Sequence, residues 1–88
     1  MRLWNIDGTY HIADSRPEAV RRFADFCNVS PSRAMSVHEV TSINNERNYI
    51  KNILDYATRE GLDDETNYAL GVLDFLNLFL AGRAPKDF

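Results

Sequence analysis

The order of local sequence signals predicts a small α+β domain with the element order β-β-α-β-α-α. Three observations carry this prediction. A tight-turn dipeptide separates two short segments near the start, a helix-capping sequence follows, and two long stretches with helical periodicity fill the second half. We therefore expect a small sheet built on an antiparallel hairpin and packed against three helices, the last two of which form a helical hairpin.

The first two strands are predicted from the dipeptide Asp7-Gly8, which lies between residues 2–6 and 9–13. Asp-Gly favours a two-residue type I′ turn, because both central residues of that turn need a positive φ. The expected cross-strand pairs are Leu3 with Ile12, Trp4 with His11, Asn5 with Tyr10 and Ile6 with Thr9. Each face of the hairpin is half apolar, so the sequence leaves open which face meets the core.

A helix is predicted to start after Ser15. Ser15 can cap the free amides, Glu18 completes a capping box, and Pro17 is compatible with a first turn. The residues expected on the buried side of this helix are Val20, Phe23, Ala24 and Cys27. The helix is expected to end before Asn28, because Pro31 and the serines beside it favour turns.

The next two elements are a strand and a long helix. Residues 34–40 alternate in part and predict a third strand. The second helix is predicted to begin at Asn44 or Asn45 and to run to Glu60. Its expected buried stripe consists of Ile43, Ile50, Ile53, Leu54 and Ala57.

A glycine stop separates the second helix from the third. Gly61 followed by Leu62 is typical of a Schellman motif, in which the glycine takes a left-handed conformation. The acidic residues 63–65 then place negative charge at the start of helix 3, where the helix dipole favours it. Gly82 and Pro85 are expected to end that helix.

Helix 3 has an unusually wide apolar face. Its predicted central stripe is Ala69, Val72, Leu73, Leu76 and Leu80. One flank carries Tyr68, Phe75 and Phe79. These residues widen the apolar arc to about 160°, beyond the ~100° that suffices for a surface helix. Leu70 and Leu78 lie outside even this arc. On helix 2, Tyr49 and Tyr56 widen the apolar face in the same way.

Two explanations of this apolar face stay open. Helix 3 can lie at the centre of the domain, with the sheet on one side and the other helices on the other, so that its flank is core. Alternatively, one flank remains exposed and binds another chain, because exposed apolar patches of several hundred Å² usually mark interfaces. The two explanations are not exclusive.

Length and composition predict one domain, 1–88. Within it we expect a ββαβ portion at 1–40, a helical hairpin at 43–82 and a frayed tail at 83–88. Cys27 is the only cysteine, so no internal disulfide can form. The N-terminus lacks the long apolar stretch of a signal peptide, and no apolar run approaches the roughly 20 residues of a membrane span. We therefore expect a cytoplasmic protein.

Metal and catalytic motifs are not recognised. The metal-ligand candidates are His11, His38 and Cys27, and Ser42 stands where a zinc-protease motif beginning at His38 needs a second histidine. There is no Gly-x-Ser-x-Gly elbow and no phosphate-binding glycine run. We therefore expect no metal, no cofactor and no enzymatic activity.

A DNA-binding helix-turn-helix is the nearest alternative motif. Ala57, Gly61 and Leu62 fall at spacings that resemble its turn, and a helix follows. That helix must present polar and basic side chains to the major groove. Here it opens with the three acids at 63–65 and continues with the mainly apolar residues 68–76. Net charge is −3 and the basic residues are interspersed with acids, which also differs from a DNA-binding face.

The first half of the chain resembles a pattern common in small bacteriophage and mobile-element proteins. The residues that carry the resemblance are a hairpin leading through 13–15 into 17–20, and a strand ending at Glu39-Val40. The resemblance implies a phage-type accessory or inhibitor protein, with anti-CRISPR-like inhibitors among the examples. It carries over no functional residue.

These observations favour a non-enzymatic domain that binds a protein partner or a second copy of itself. The expected partner-binding residues are Tyr49, Tyr56, Asp63, Asp64, Glu65, Tyr68, Phe75, Leu78 and Phe79. The acidic turn would imitate nucleic-acid phosphates toward a basic groove, and the aromatic residues would supply apolar contact. One alternative is a nucleic-acid-associated regulator that uses Arg16, Arg21, Arg22, Arg47 and Lys51. A small enzyme of unknown reaction is the other.

Overall fold

A computed structural model describes residues 2–83. It confirms the α+β class and the predicted order of strands and helices. The elements are β1 (Arg2–Ile6), β2 (Thr9–Ala13), α1 (Arg16–Cys27), a 3₁₀ turn (Pro31–Arg33), β3 (Val37–Glu39), α2 (Ile43–Glu60) and α3 (Asp63–Leu80). These residues divide into two compact units, 2–41 and 42–83. Residues 84–88, which include Pro85 and most of the predicted frayed tail, lie outside the described part of the chain.

The first unit contains a three-stranded antiparallel sheet with the strand order β2-β1-β3. All four predicted cross-strand pairs of the hairpin are present. Asp7 has a φ of 50° and Gly8 a φ of 90°, as the two central residues of a type I′ turn require. The local turn signal therefore fixed the register of the hairpin.

Asp7 also anchors the approach to the third strand. Its carboxylate accepts hydrogen bonds from the backbone amides of Met35 and Ser36, at 2.9 and 2.7 Å. Its own amide donates to the carbonyl of Ser36 at 3.0 Å. Strand β3 is consequently shorter than the predicted 34–40, because the amides that precede it bind the turn rather than a neighbouring strand.

Both faces of the hairpin are buried. Trp4, Ile6 and Ala13 form a core cluster with Ala19 and Phe23 of α1. The Trp4 indole Nε1 donates to the Ala13 carbonyl at 3.0 Å, so its polar atom is satisfied inside this cluster. The buried residues of the opposite face are Leu3, Asn5, Tyr10 and Ile12.

Helix α1 begins at the predicted cap. The Ser15 hydroxyl accepts from the Glu18 amide at 3.3 Å, and the Glu18 carboxylate accepts from the Asp14 amide at 3.1 Å. The placement of Cys27 on the buried stripe is wrong, since this thiol is exposed. Cys27 is the last residue of α1, and burial along the helix ends one turn earlier, at Ala24.

His11 is a buried imidazole between the sheet and α1. Only 1% of the residue is exposed, and its ring makes edge-to-face contacts with Phe23 and Phe26, with centroids 6.1 and 5.8 Å apart. The Thr9 hydroxyl donates to the Ile6 carbonyl, so its oxygen is left to accept from His11 Nε2 at 2.8 Å. The neutral imidazole therefore carries its proton on Nε2.

Acid should destabilise the protein through His11. Burial lowers the pKa of the imidazole below its ordinary value of 6.5, and the positive charge of Arg22 lowers it further. A histidine with a lowered pKa in the folded state stabilises the fold above its unfolded pKa, and this contribution is lost as the pH falls below 6.5. Urea unfolding at pH 7.5 and at pH 5.5 should show the loss.

The exposed histidine of β3 supplies the matched control for this experiment. His11→Gln should reduce the loss of stability between the two pH values, and His38→Gln, which removes the exposed histidine of β3, is the control for losing a histidine as such. Equal pH dependence in the His11→Gln and wild-type proteins would contradict the assignment.

The second unit is a helical hairpin of α2 and α3. Helix α2 starts at Ile43, slightly earlier than predicted, because the Ser42 hydroxyl caps it by accepting from the Asn45 amide at 3.2 Å. At its other end Gly61 has a φ of 68°, and the Leu62 amide donates to the Ala57 carbonyl at 2.9 Å. This bond closes the predicted Schellman motif.

Burial within the two helices is uneven. The buried residues are Ile50 and Ala57 on α2, and Ala69, Val72, Phe75 and Leu76 on α3. Leu80, predicted in the central stripe, is exposed at the last position of its helix. In the described part of the chain, no helix combines the length and apolar character needed to cross a membrane.

The two glycines of this unit should respond oppositely to alanine. Gly61→Ala should lower the free energy of unfolding by about 1–2 kcal/mol, because the left-handed conformation is unfavourable for any residue with a Cβ. Gly71→Ala should raise it by about 0.5–1 kcal/mol, because Gly71 is inside α3 and an added Cβ meets nothing within 4 Å. Urea unfolding of the two variants measures both effects, and changes of the same sign would contradict this account.

Candidate binding surface

Three tyrosines of the helical hairpin expose much of their side chains. Tyr49 is 58% exposed, Tyr56 55% and Tyr68 42%. All three are among the predicted partner-binding residues. We refer to Tyr49, Tyr56 and Tyr68 as the tyrosine surface.

Helical geometry and electrostatics relate these three side chains to one another. Tyr49 and Tyr56 are seven residues apart on α2, so they lie on the same side of the helix about 10.5 Å apart along its axis. Tyr68 belongs to α3. Burial raises the pKa of its phenol, and the nearby Tyr49 and Glu46 raise it further. The α3 tyrosine is therefore close to the side of α2 that carries Tyr49.

Phe75 does not belong to the exposed surface. It is only 2% exposed and packs against Phe79, with ring centroids 6.3 Å apart. Phe79 and Leu78 are half-buried. The expectation that Phe75 lies on an exposed flank is therefore wrong, and of the predicted aromatic residues the tyrosines are the exposed ones.

A rotation of α3 relative to the predicted stripe explains this difference. The four buried residues of α3 centre on a direction about 45° from the predicted one, at 100° per residue. The rotation brings Phe75 into the core and leaves Leu73 only half-buried. The apolar arc in the sequence was wide enough to accommodate either direction.

The acidic turn is exposed at the start of α3. The first turn of α3 contains Asp63, Asp64 and Glu65. The positive end of the helix dipole stabilises their negative charges there. The preceding residue, Leu62, makes no side-chain capping bond, so these acids supply the favourable polar groups at this end. Helix stabilisation accounts for their positions, and their role in binding stays a prediction.

A groove between α2 and α3 was not predicted. Its volume is about 830 Å³, and its lining residues are Asn52, Leu54, Asp55, Thr58, Arg59, Thr66 and Leu70. Leu54 and Leu70 give the groove an apolar component. The available signal in the sequence was Leu70, which lies outside the main apolar arc of its helix.

The predicted metal and nucleic-acid candidates are spread through the structure. Among residues 2–83, no three histidine, cysteine or carboxylate side chains gather as a metal site. The basic residues of the regulator hypothesis are divided, with Arg16, Arg21 and Arg22 on α1 and Arg47 and Lys51 on α2. Arg22 lies 3.6 Å from the Glu18 carboxylate.

Comparison of the chain with protein-family models, curated proteins and solved structures found no match. The geometry of the chain itself is therefore the basis for assigning a function.

Substitutions of Phe75 and Tyr56 should differ in their effect on stability, because Phe75 is a core residue and Tyr56 a surface residue. Phe75→Ala should lower the free energy of unfolding by about 3–5 kcal/mol, because it leaves a cavity. Tyr56→Ala should change it by no more than about 1 kcal/mol, since its side chain is largely exposed. Urea unfolding measures both values. If Phe75→Ala prevents folding, Phe75→Leu should still cost more than Tyr56→Ala, and the reverse order would contradict the placement.

Proposed function

We propose that this chain is a non-enzymatic protein-binding domain and that the tyrosine surface contacts the partner. The observation that supports the proposal is the exposure of three large aromatic side chains on two packed helices of one unit. Tyrosine is favoured at interfaces because it offers a large contact area, loses little conformational entropy and adds a hydroxyl for hydrogen bonding.

The local structure supports the tyrosine surface over other parts of the hairpin. Tyr49 and Tyr56 project from the middle of α2, an 18-residue helix with a capped start and a glycine stop. The helix holds the backbone at these two positions in a fixed relative arrangement, which lowers the cost of ordering the side chains on binding. The groove at Leu54 and Leu70 is the second apolar feature of the unit, and five of its seven lining residues are polar or charged.

A more specific form of the proposal is a phage-type inhibitor that occupies the surface of a bacterial protein, such as a defence protein. The resemblance of the first half of the chain to small phage proteins supports this form. A second copy of the chain is the other candidate partner. In both cases the same tyrosines would be covered on binding.

Site-specific photo-cross-linking in a bacterial host tests the proposal. A benzoylphenylalanine residue replaces Tyr56 in one protein and Leu70, in the groove, in another. We expect the Tyr56 position to yield a discrete adduct with one partner or with a second copy. Excess unmodified protein should compete for this adduct, whereas the double variant Tyr49→Ala, Tyr56→Ala should compete poorly.

The control is the fold of the competitor. The double variant must retain the wild-type far-UV circular dichroism and a cooperative urea transition, so that weak competition reflects the missing rings. Adducts that form only at the Leu70 position would assign binding to the groove and contradict the proposal. Adducts that the double variant competes away as well as wild type would contradict it too.

A further inference from the structure

Charge is unevenly distributed around α2. At 100° per residue, Glu46 and Glu60 lie within about 60° of Tyr49. Arg47 and Lys51 lie about 160° away from Tyr49 on the same scale. Arg59, the remaining basic residue of this helix, lies three residues after Tyr56, about 60° from it, and also lines the groove with Leu54. The side of α2 that carries Tyr49 thus has two carboxylates, and Arg59 lies at its edge beside Tyr56.

Helix α3 adds to this negative charge. Its 18 residues include no lysine or arginine. Asp64 and Glu65 precede Tyr68 by four and three residues, which places them on the same face of the helix. Both carboxylates are exposed. The tyrosine surface is therefore bordered by acids on both helices.

Glu46 lies close enough to the Tyr68 phenol to act on it electrostatically. Glu46 and Tyr49, both on α2, raise the pKa of the Tyr68 phenol on α3, in addition to the larger effect of burial. A carboxylate that disfavours the phenolate also favours a cation placed beside the same ring.

These features match a positively charged partner. The face of a tyrosine ring attracts cations, and arginine is the cation that most often packs on it. The planar guanidinium also forms paired hydrogen bonds with carboxylates, which lysine cannot reproduce. Phosphate groups would be repelled by the same acids.

We infer that the tyrosine surface binds an arginine-bearing segment of a protein partner, with the ring faces packing on guanidinium groups and the bordering carboxylates pairing with them. The carboxylates in question are those of the exposed residues Glu60, Asp64 and Glu65. This inference rests on the proposed function and specifies the chemistry of the partner.

Titration with short peptides, followed by NMR, tests the inference. The probes are a peptide of alternating glycine and arginine and its lysine and glutamate counterparts. The arginine peptide should cause saturable amide shifts centred on Tyr49, Tyr56 and Tyr68. The lysine peptide should bind at least about threefold more weakly, because it lacks the planar, paired contacts. The glutamate peptide should cause no saturable shift.

Matched variants separate this site from general attraction to an acidic protein. Glu60→Gln and Asp64→Asn should each weaken arginine-peptide binding by about threefold or more, as expected when one charge contact is lost. Asp74→Asn removes the same charge from an exposed position on another side of α3 and should have no effect. Tyr56→Phe should retain binding, because the ring face remains, whereas Tyr56→Ala should weaken it.

Several outcomes would overturn the inference. These are the absence of saturable binding, shifts centred on the groove or on Asp74, and equal weakening by Asp64→Asn and Asp74→Asn. A Tyr56 cross-link to a partner segment without arginine or lysine would also overturn it while leaving the proposed function intact. A Tyr56 position that cross-links to nothing would instead remove the proposed function.

Discussion

The left-handed conformation of Gly61 determines the arrangement on which the candidate surface depends. It ends α2 after Glu60 and lets α3 begin at Asp63, with one further residue between them. Because the connection is so short, the two helices must pack against each other as a hairpin. The position of Tyr68 close to the side of α2 that carries Tyr49 follows from this turn, since a longer connection would permit another pairing of the helices.

The sheet of the first unit depends on a similar turn with an additional contact. Asp7 also has a positive φ, but unlike glycine it has a side chain, whose carboxylate binds the two amides before β3. One residue therefore makes the hairpin turn and positions the third strand. At the opposite end of β3, Arg2 pairs with Glu39 at 2.8 Å and lies over the Trp4 ring, 5.0 Å from its centroid.

The features that could be predicted from the sequence are those determined by neighbouring residues. The Asp7-Gly8 turn, the Ser15 cap and the Gly61 stop each depend on a few adjacent side chains, and all three are present. The errors concern burial, which depends on residues far apart in the chain. Cys27 continues the apolar stripe of α1 but lies beyond its buried part, and Phe75 lies in the core because α3 is rotated.

The candidate surface could also be predicted only in part, because its residue types are evident in the sequence but their burial is not. Its tyrosines could be identified from the sequence because they widen an apolar face beyond what a single packing contact needs. The sequence does not indicate which members of that face stay exposed, because an apolar arc of about 160° is compatible with more than one rotation of the helix. The groove at Leu70 was missed for a related reason. It requires side chains from two helices, and its residues are neither uniformly apolar nor close in sequence.

The buried indole of the first unit allows the two units to be followed by different spectroscopic signals. Trp4 is the only tryptophan, and it packs with Ala19 and Phe23 in the core cluster. Its fluorescence therefore follows the environment of residues 2–41. Far-UV circular dichroism is dominated instead by helix, and within residues 2–83 α2 and α3 supply 36 of the 48 α-helical residues. An unlabelled, unmodified sample can thus show whether the two units melt in one step or in two.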